Sequence, residues 1–411
     1  MTAMITQNYD VLILGGGPGG LSTALHLVRI NPQLAPRILI LEKEHYPRPK
    51  LCAGGLVADA EVILERLGLD VREVPHVDVE TAHFDFAGSG LKIRLRKKHA
   101  IRVIRRDEFD FWLARNAENR GIEIREGVTV KAVLPDPDGV TVETDAGNFR
   151  AQVVVGADGS NGVTRRCILP NAPLSTARTL EVIAPINNVL ASCSLAKQSS
   201  DQTSLLRESP PRNDIFHKER DAYFDFFPVP ENIAGYVWDF PTQVNGVPMR
   251  CWGIYDCNLL SNFKRPALKD LLAKEMSQHG LNLDDCEIKS HPIRWYEPQN
   301  QISVPRVLLV GDAAGADPLF GEGISIALGY GVVAAQEIAE SFQRNEFSFG
   351  RYRNRVAFSG LGQTLFARWF ISNLVYLLKW AWFQILLWRI IQPVVILVAW
   401  IFILNWSKRL K

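Results

Sequence analysis

Two glycine-rich turns at opposite ends of the sequence constrain this chain more than any other feature. The first, Gly15-Gly16-Gly17-Pro18-Gly19-Gly20, follows the apolar run YDVLIL at 9–14. In such a loop Gly15 allows the tight turn and Gly17 lets backbone approach a pyrophosphate. Gly20 lets the next helix pack closely on its strand. Phosphates then sit on free N–H groups at the helix N-terminus. A helix over 18–30 and a second parallel strand over 37–42 complete a βαβ unit, with turn signals at Asn31-Pro32 and Ala35-Pro36. Glu42 ends that strand, where a carboxylate can accept from ribose hydroxyls.

The second turn, Gly311-Asp312-Ala313-Ala314-Gly315, follows another apolar strand at 307–310 and runs on to Pro318, Gly321, Glu322, Gly323 and Ile324. A glycine–aspartate turn behind a second strand implies a nucleotide that reaches the far end of the domain. FAD fits that description and NAD does not. Asp312 is placed to accept hydrogen bonds from ribityl hydroxyls. The apolar helix at 325–341, led by Gly323 and Ile324, presents its N-terminal dipole to the pyrimidine edge of a flavin, where negative charge develops on reduction.

Between the turns lie an amphipathic helix (109–120), a strand (121–125), and a strand pair (128–134, 140–144) joined by Asp138-Gly139. A further strand, 151–155, ends in Gly156-Ala157-Asp158-Gly159-Ser160. From about 170 to 296 broad, aromatic, alternating strands imply an antiparallel sheet inserted before the last nucleotide strand. Tyr236, Trp238 and Phe240 alternate, so they share one face and form an apolar wall. The polar stretch 196–220 reads as a mobile loop. The expected fold is α/β, with a Rossmann-like FAD-binding domain in two parts. These are 1–170, including a small β segment near 70–100, and 297–345. They enclose an antiparallel β substrate-binding domain at 171–296.

The helical region 346–411 has a different composition. It holds six of the chain's ten tryptophans, and 390–406 runs 17 residues without a charge. As a helix that run spans roughly 26 Å, marginal against a hydrocarbon core of about 30 Å. Arg368, Ser372, Lys379 and Arg389 form a polar stripe upstream, and tryptophans beside basic residues suit headgroup depth. A membrane-associated tail lying in the interface is expected, with the FAD domain facing the cytoplasm. A chain cut before Gly362 is expected to keep that domain folded.

Elsewhere composition mainly excludes. The 46 Lys+Arg against 44 Asp+Glu give a net charge of +2 and no case for nucleic acid. The basic cluster of Lys97, Lys98, Arg102, Arg105 and Arg106 reads as solvated surface. Six cysteines without a CxxC pair indicate neither zinc nor a disulfide framework, so no metal site is expected, and a reducing compartment is the default. The N-terminus carries no visible secretory signal.

The glycine loop, Arg106-x-x-Phe109-Asp110, Gly156–Ser160 and Gly311-Asp312 resemble the motif set of the para-hydroxybenzoate hydroxylase-like flavoproteins. Within that superfamily, Lys50-Leu51-Cys52-Ala53-Gly54-Gly55 and the strand Tyr236-Val237-Trp238-Asp239-Phe240-Pro241 resemble the geranylgeranyl reductases. Ala53 stands where that family usually has glycine, and Gly253 alone represents a glycine pair. The resemblance implies cofactor contacts at Arg106 and Asp158, an isoprenoid pocket at Tyr236, Trp238 and Phe240, and Cys52 as proton donor or pocket wall. It implies an FAD-dependent reductase of isoprenoid carbon–carbon double bonds acting at a lipid membrane surface, with NADPH or reduced ferredoxin as electron donor. Two alternatives stay open: a flavin monooxygenase or epoxidase of a lipid, and a membrane-docked flavin electron carrier to quinone. A halogenase is disfavoured, because its Trp-x-Trp-x-Ile-Pro strand is only half matched.

Overall fold

The strand Gln7–Leu14 sits at the centre of a sheet covered on both faces, which is why Val11, Leu12, Ile13 and Leu14 are all apolar and fully buried. The structure is a computed structural model, and residues 7–95, 98–173, 175–186 and 218–410 are described. In this sheet Val307–Leu309, Gly147–Gly156, Gln7–Leu14, Ile38–Leu41 and Glu123–Arg125 run parallel in that spatial order. The last nucleotide strand therefore pairs with a strand from the first half of the chain, and everything between them is an insertion. The hairpin Val130–Pro135 and Val140–Thr144 extends antiparallel from Gly147–Gly156. The helices Pro18–Ile30 and Ile324–Arg344 lie against each other, and Ser22 Oγ donates to the Leu328 carbonyl at 2.8 Å.

A second sheet has seven strands. Lys289–Arg294, Thr176–Pro185, Val247–Asp256, Gly235–Val244 and Asp221–Asp225 are antiparallel neighbours, as the alternating pattern implies. Its far edge comes from elsewhere in the chain. Thr81–Asp85 pairs in parallel with Asp221–Asp225, and Gly90–Arg94 follows it. The segment near 70–100, expected with the nucleotide domain, is thus divided. His76–Val79 joins a three-stranded sheet with Gly55–Leu56 and Ile101–Ile104, while residues 81–94 widen the aromatic sheet. The polar stretch 196–220 lies mostly outside the described residues.

The two faces of the second sheet differ. Val182, Val237, Trp252 and Ile254 pack against the helix Leu268–Gln278, while Phe224, Tyr236, Trp238, Phe240 and Tyr255 look the other way, toward the first sheet.

The tail differs most from expectation. Its helices Tyr352–Phe358 and Gly360–Leu377 are followed by short bent segments from Ala381 to Ile403. The final turn returns to the nucleotide domain, where Trp406 is fully buried in the same core as Leu361 and Leu365. Asp59 accepts from the backbone N–H groups of Asn405 and Ser407, and Arg66 donates to the carbonyls of Ser407 and Leu410. Arg368 and Ser372, read as part of a polar stripe, are buried at 1% and 0% exposure. The outward surface instead carries Phe366, Phe370, Trp380, Trp382, Leu397 and Trp400. Among the described residues no single helix is long and apolar enough to cross a membrane, although Ala381–Ile390 and Gln392–Arg409 meet the length and composition together as a pair bent by 80°.

Candidate active site

One cleft of ≈1780 Å³ runs between the sheets and joins the two glycine turns to the aromatic wall. Drug-sized ligand pockets hold about 300–1,000 Å³, so this volume accommodates a dinucleotide and a second, apolar molecule.

At the nucleotide end Gly15 has φ +110°, and a Cβ there would lie 2.4 Å from the Ala157 carbonyl oxygen. A Cβ on Gly20 would lie 2.1 Å from the Gly15 carbonyl oxygen, which is the close helix–strand approach read from the loop. Gly17 precedes the helix without a side-chain cap, and a Cβ there meets only Arg48, at 3.6 Å. It lines the open cleft, as a phosphate cradle requires. Glu42 is buried, and its carboxylate accepts from Gly16 N at 2.8 Å and Glu44 N at 3.1 Å. It therefore braces the glycine loop as well as facing the cleft.

Of the basic cluster read as solvated, Lys98 is exposed, but Arg102 and Arg106 turn inward. Arg102 is 5% exposed and pairs with Asp78 and Glu61. Arg106 makes a bidentate pair with fully buried Asp110, both contacts at 2.9 Å, and Arg48 bridges Asp110 to Glu42. Lys97 lies outside the described residues. Asp158 lines the cleft and caps the next helix, accepting from Thr164 N and Oγ1, while its other oxygen is buried without a partner. Burial holds its carboxyl above the ordinary range.

Asp312 accepts no hydrogen bond from the described residues and borders the cleft beside Gly323 and Ile324, where the helix Ile324–Arg344 begins without a side-chain cap. A free carboxylate and an uncapped helix N-terminus at one end, with a glycine loop at the other, fit FAD. Asp312 would hold ribityl hydroxyls and the helix end would hold the flavin's polar edge, with the phosphates at Gly17. Opposite Asp312, Lys50 Nζ lies 2.7 Å from His291 Nε2. Burial and the neighbouring lysine push His291 down to about 4, so it is neutral and accepts from Lys50.

Behind Glu322 stands a charge the sequence reading assigned elsewhere. Arg368, from the tail, reaches Asp317 at 2.8 Å and also pairs with Glu322. The tail thus holds the Gly321-Glu322-Gly323 turn in place.

At the far end Tyr236, Trp238 and Phe240 are each 5% exposed and line the cleft with Phe224, Tyr255 and Phe320. Tyr236 donates to the Phe320 carbonyl at 2.5 Å, which ties this wall to the second glycine turn. Gly253 lies under Trp238. A Cβ there would stand 2.1 Å from the indole, so glycine is what lets the ring lie flat against the sheet.

Cys52 enters from the loop before Gly55–Leu56, and its Sγ accepts from Gly54 N at 3.4 Å. Burial pushes its thiol above the ordinary value, which favours the protonated form. Beside it is Glu181, a residue the sequence reading missed. A lone acid in the apolar run 180–184 was the available signal, but only the register turns it inward. Among the described residues no group of three or more His, Cys, Asp or Glu could hold a metal ion.

Residues 8–226 match the model of the FAD binding domain family. The chain belongs to that family. A digeranylgeranylglycerophospholipid reductase of Thermoplasma volcanium is 27% identical over 370 residues, covering 85% of this chain and 83% of its own length. The crystal structure of a geranylgeranyl bacteriochlorophyll reductase-like protein from Thermoplasma acidophilum superimposes with a TM-score of 0.74 at 20% identity, covering 98% of each chain. The flavin-dependent brominase Bmp2 gives 0.66 at 20% identity, covering 98% and 95%. At those identities the structural matches carry the fold alone. The motifs and the family match identify an FAD-dependent oxidoreductase, and relatives of this chain carry the name digeranylgeranylglycerophospholipid reductase.

Proposed function

We propose that this oxidoreductase reduces isoprenoid carbon–carbon double bonds at a membrane surface, taking electrons from NADPH or reduced ferredoxin. The observation that carries the reading is the continuity of the cleft, in which one cavity is polar around the glycine turns and aromatic around Tyr236, Trp238 and Phe240. Reduced flavin supplies hydride chemistry to a substrate bound beside it. An isolated alkene is a poor hydride acceptor, so a proton must arrive with the hydride. A wall of aromatic faces excludes water and stabilises the positive character that protonation creates. The reductases named among the relatives act in the same chemical class.

The tail supports the membrane part of the proposal. Its polar side chains are turned inward onto Asp317, Glu322 and Asn232, while its outward face is apolar. Ile396, Ala399, Trp400 and Ile403 also line the cleft, so the apolar surface and the cavity share a wall. Arg389 is tied to the carbonyls of Phe86 and Ser89, and Asn405 and Ser407 to Asp59. Anchoring at both ends to one body favours a tail lying in the interface over one that crosses it, and we place the FAD domain on the cytoplasmic side as part of the proposal.

The test is mass spectrometry of prenyl phospholipids, diphosphates and quinones after incubation with the purified, chemically reduced holoenzyme under nitrogen. A mass gain of one H2 per double bond supports the reading. In a parallel aerobic incubation with NAD(P)H, oxygen uptake coupled to NAD(P)H oxidation, with an oxygenated product, would point to a monooxygenase instead.

A further inference from the structure

Glu181 lies in the strand Thr176–Pro185, opposite Gly253 on one side and Lys289 on the other. Strand alternation puts Thr179 and Glu181 on the cleft face, while Leu180 and Val182 pack behind the sheet. The carboxyl is 7% exposed. Its Oε1 accepts weakly from Cys52 N at 3.4 Å, and its Oε2 is buried with no hydrogen-bond partner. A buried, half-satisfied carboxyl is expensive to maintain, and a purely structural site would pair it. Around the same cleft Glu42, Asp110, Asp317 and Glu322 each have an arginine against them, while Asp158 and Asp312, at the nucleotide end, do not.

The groups facing Glu181 are few. Cys52 approaches from its loop and Cys251 from the neighbouring strand, while Lys289 and Arg105 act from further off. Burial outweighs these cations and raises the carboxyl to about 7. The Cys52 and Cys251 thiols are also pushed above their ordinary values by burial. Of the three proton carriers here, the carboxyl is the strongest acid that is still protonated near neutral pH. A general acid works best when its pKa lies near the working pH.

Taking the proposed alkene reduction as given, we propose that Glu181 is the general acid that protonates the alkene, with Cys52 orienting the carboxyl through its backbone N–H. The step balances. The carboxyl O–H bond breaks and a C–H bond forms at one alkene carbon. The other alkene carbon takes the hydride of the reduced flavin, and the carboxylate regains its proton from water.

The test uses the FAD-loaded, reduced full-length protein mixed anaerobically with a geranylgeranyl lipid, following flavin re-oxidation against pH. In the wild type the rate falls as pH rises through about 7. Glu181→Gln should retain FAD and its spectrum, lose about 10²–10⁴-fold in rate and lose that pH limb, while Glu181→Asp recovers part of both. A second readout needs no turnover: a protonated-carboxyl infrared band that titrates near neutrality in the wild type and is missing in Glu181→Gln. Its absence from the wild type overturns the proposal. So does a Gln variant within about threefold of the wild-type rate that keeps the pH limb. A wild type re-oxidised by no prenyl alkene overturns the reaction itself, which is a different failure from a competent wild type and an equally competent Gln variant.

Discussion

The two ends of the cleft treat buried charge in opposite ways. At the nucleotide end three carboxylates are locked to arginines, Asp110 to Arg106 and Arg48, and Asp317 and Glu322 to Arg368, while Asp158 and Asp312 face the cleft without one. At the aromatic end Glu181 has one weak backbone donor and an unpartnered oxygen. A paired carboxylate keeps its charge and fixes geometry, whereas an unpaired one in a dry pocket becomes a proton store. The first end fits a large polar ligand held still, and under the proposal above the second would exchange a proton beside an apolar one. The same fold supplies both, because among the described residues the second sheet contributes one acid, Glu181, to the cleft lining beside the aromatic rings.

The largest expected effect comes from breaking a lock. Arg368→Ala leaves Asp317 and Glu322 buried with no cation, and removing one partner of a buried pair costs about 3–5 kcal/mol. Denaturant unfolding should show a loss of that size, together with reduced flavin occupancy, because Glu322 belongs to the turn beside Asp312. Unchanged stability would mean that the pair is solvated and that the tail does not brace the turn. For the same reason a chain cut before Gly362 is expected to unfold the FAD domain. This reverses the expectation from sequence, since Trp406 and Leu365 belong to that domain's core.

Glu181→Gln should act in the opposite direction. The carboxyl is raised by burial from 4.5 to about 7 in the folded chain. Folding therefore takes up a proton between those values. Stability from this group is fully present below pH 4.5, declines through that window and is gone above about 7. Glutamine has no such penalty. The variant should match the wild type near pH 4.5 and exceed it by up to about 3 kcal/mol at pH 8. Equal melting temperatures across the range would show that folding does not shift the Glu181 carboxyl.

Asp312→Ala tests the holding end more gently. Hydrogen bonds to a charged group contribute about 1.5–3 kcal/mol, so FAD affinity should fall by roughly one to two powers of ten with little change in fold stability. Fluorescence titration of the apoprotein reads this directly. An unaltered affinity would remove Asp312 from the flavin contacts.

The sequence was most informative where local chemistry and fold coincide. The loop Gly15–Gly20 and the turn at Gly311-Asp312 could be read from residue type and spacing, since the approaches at Gly15 and Gly20 leave no room for a Cβ. The alternation of Tyr236, Trp238 and Phe240 identifies one face of one strand. Glu181 was not legible, because a strand's inward and outward faces exchange on a one-residue shift and its partners lie on other strands. Arg368 was misread for a related reason. A helical stripe of polar residues beside an apolar one gives two faces but not which of them meets the protein. The usual assumption, polar side outward, fails here because Arg368 pairs with buried Asp317 and Glu322.

That inversion gives the last and smallest expected effect on the folded chain. Trp382 is 61% exposed and Trp400 62%, so replacing both by serine removes little packing and should move stability by less than about 0.5 kcal/mol. The same change should weaken attachment to anionic phospholipid vesicles, because each indole would otherwise bury apolar area worth about 1–3 kcal/mol at the interface. Flotation of wild type and variant with vesicles checks this, with flavin absorbance locating the folded protein. Topology can be read in the same preparation. The last residues are held to Asp59 and Arg66 of the FAD domain, so a tag after Lys411 should be digested by protease whenever that domain is outside sealed vesicles. Protection of the tag would require the final turn to leave its core, with Trp406 withdrawn, and would replace the interfacial tail with a true crossing. Wild type and variant floating equally would instead assign the outward aromatic face to a protein partner.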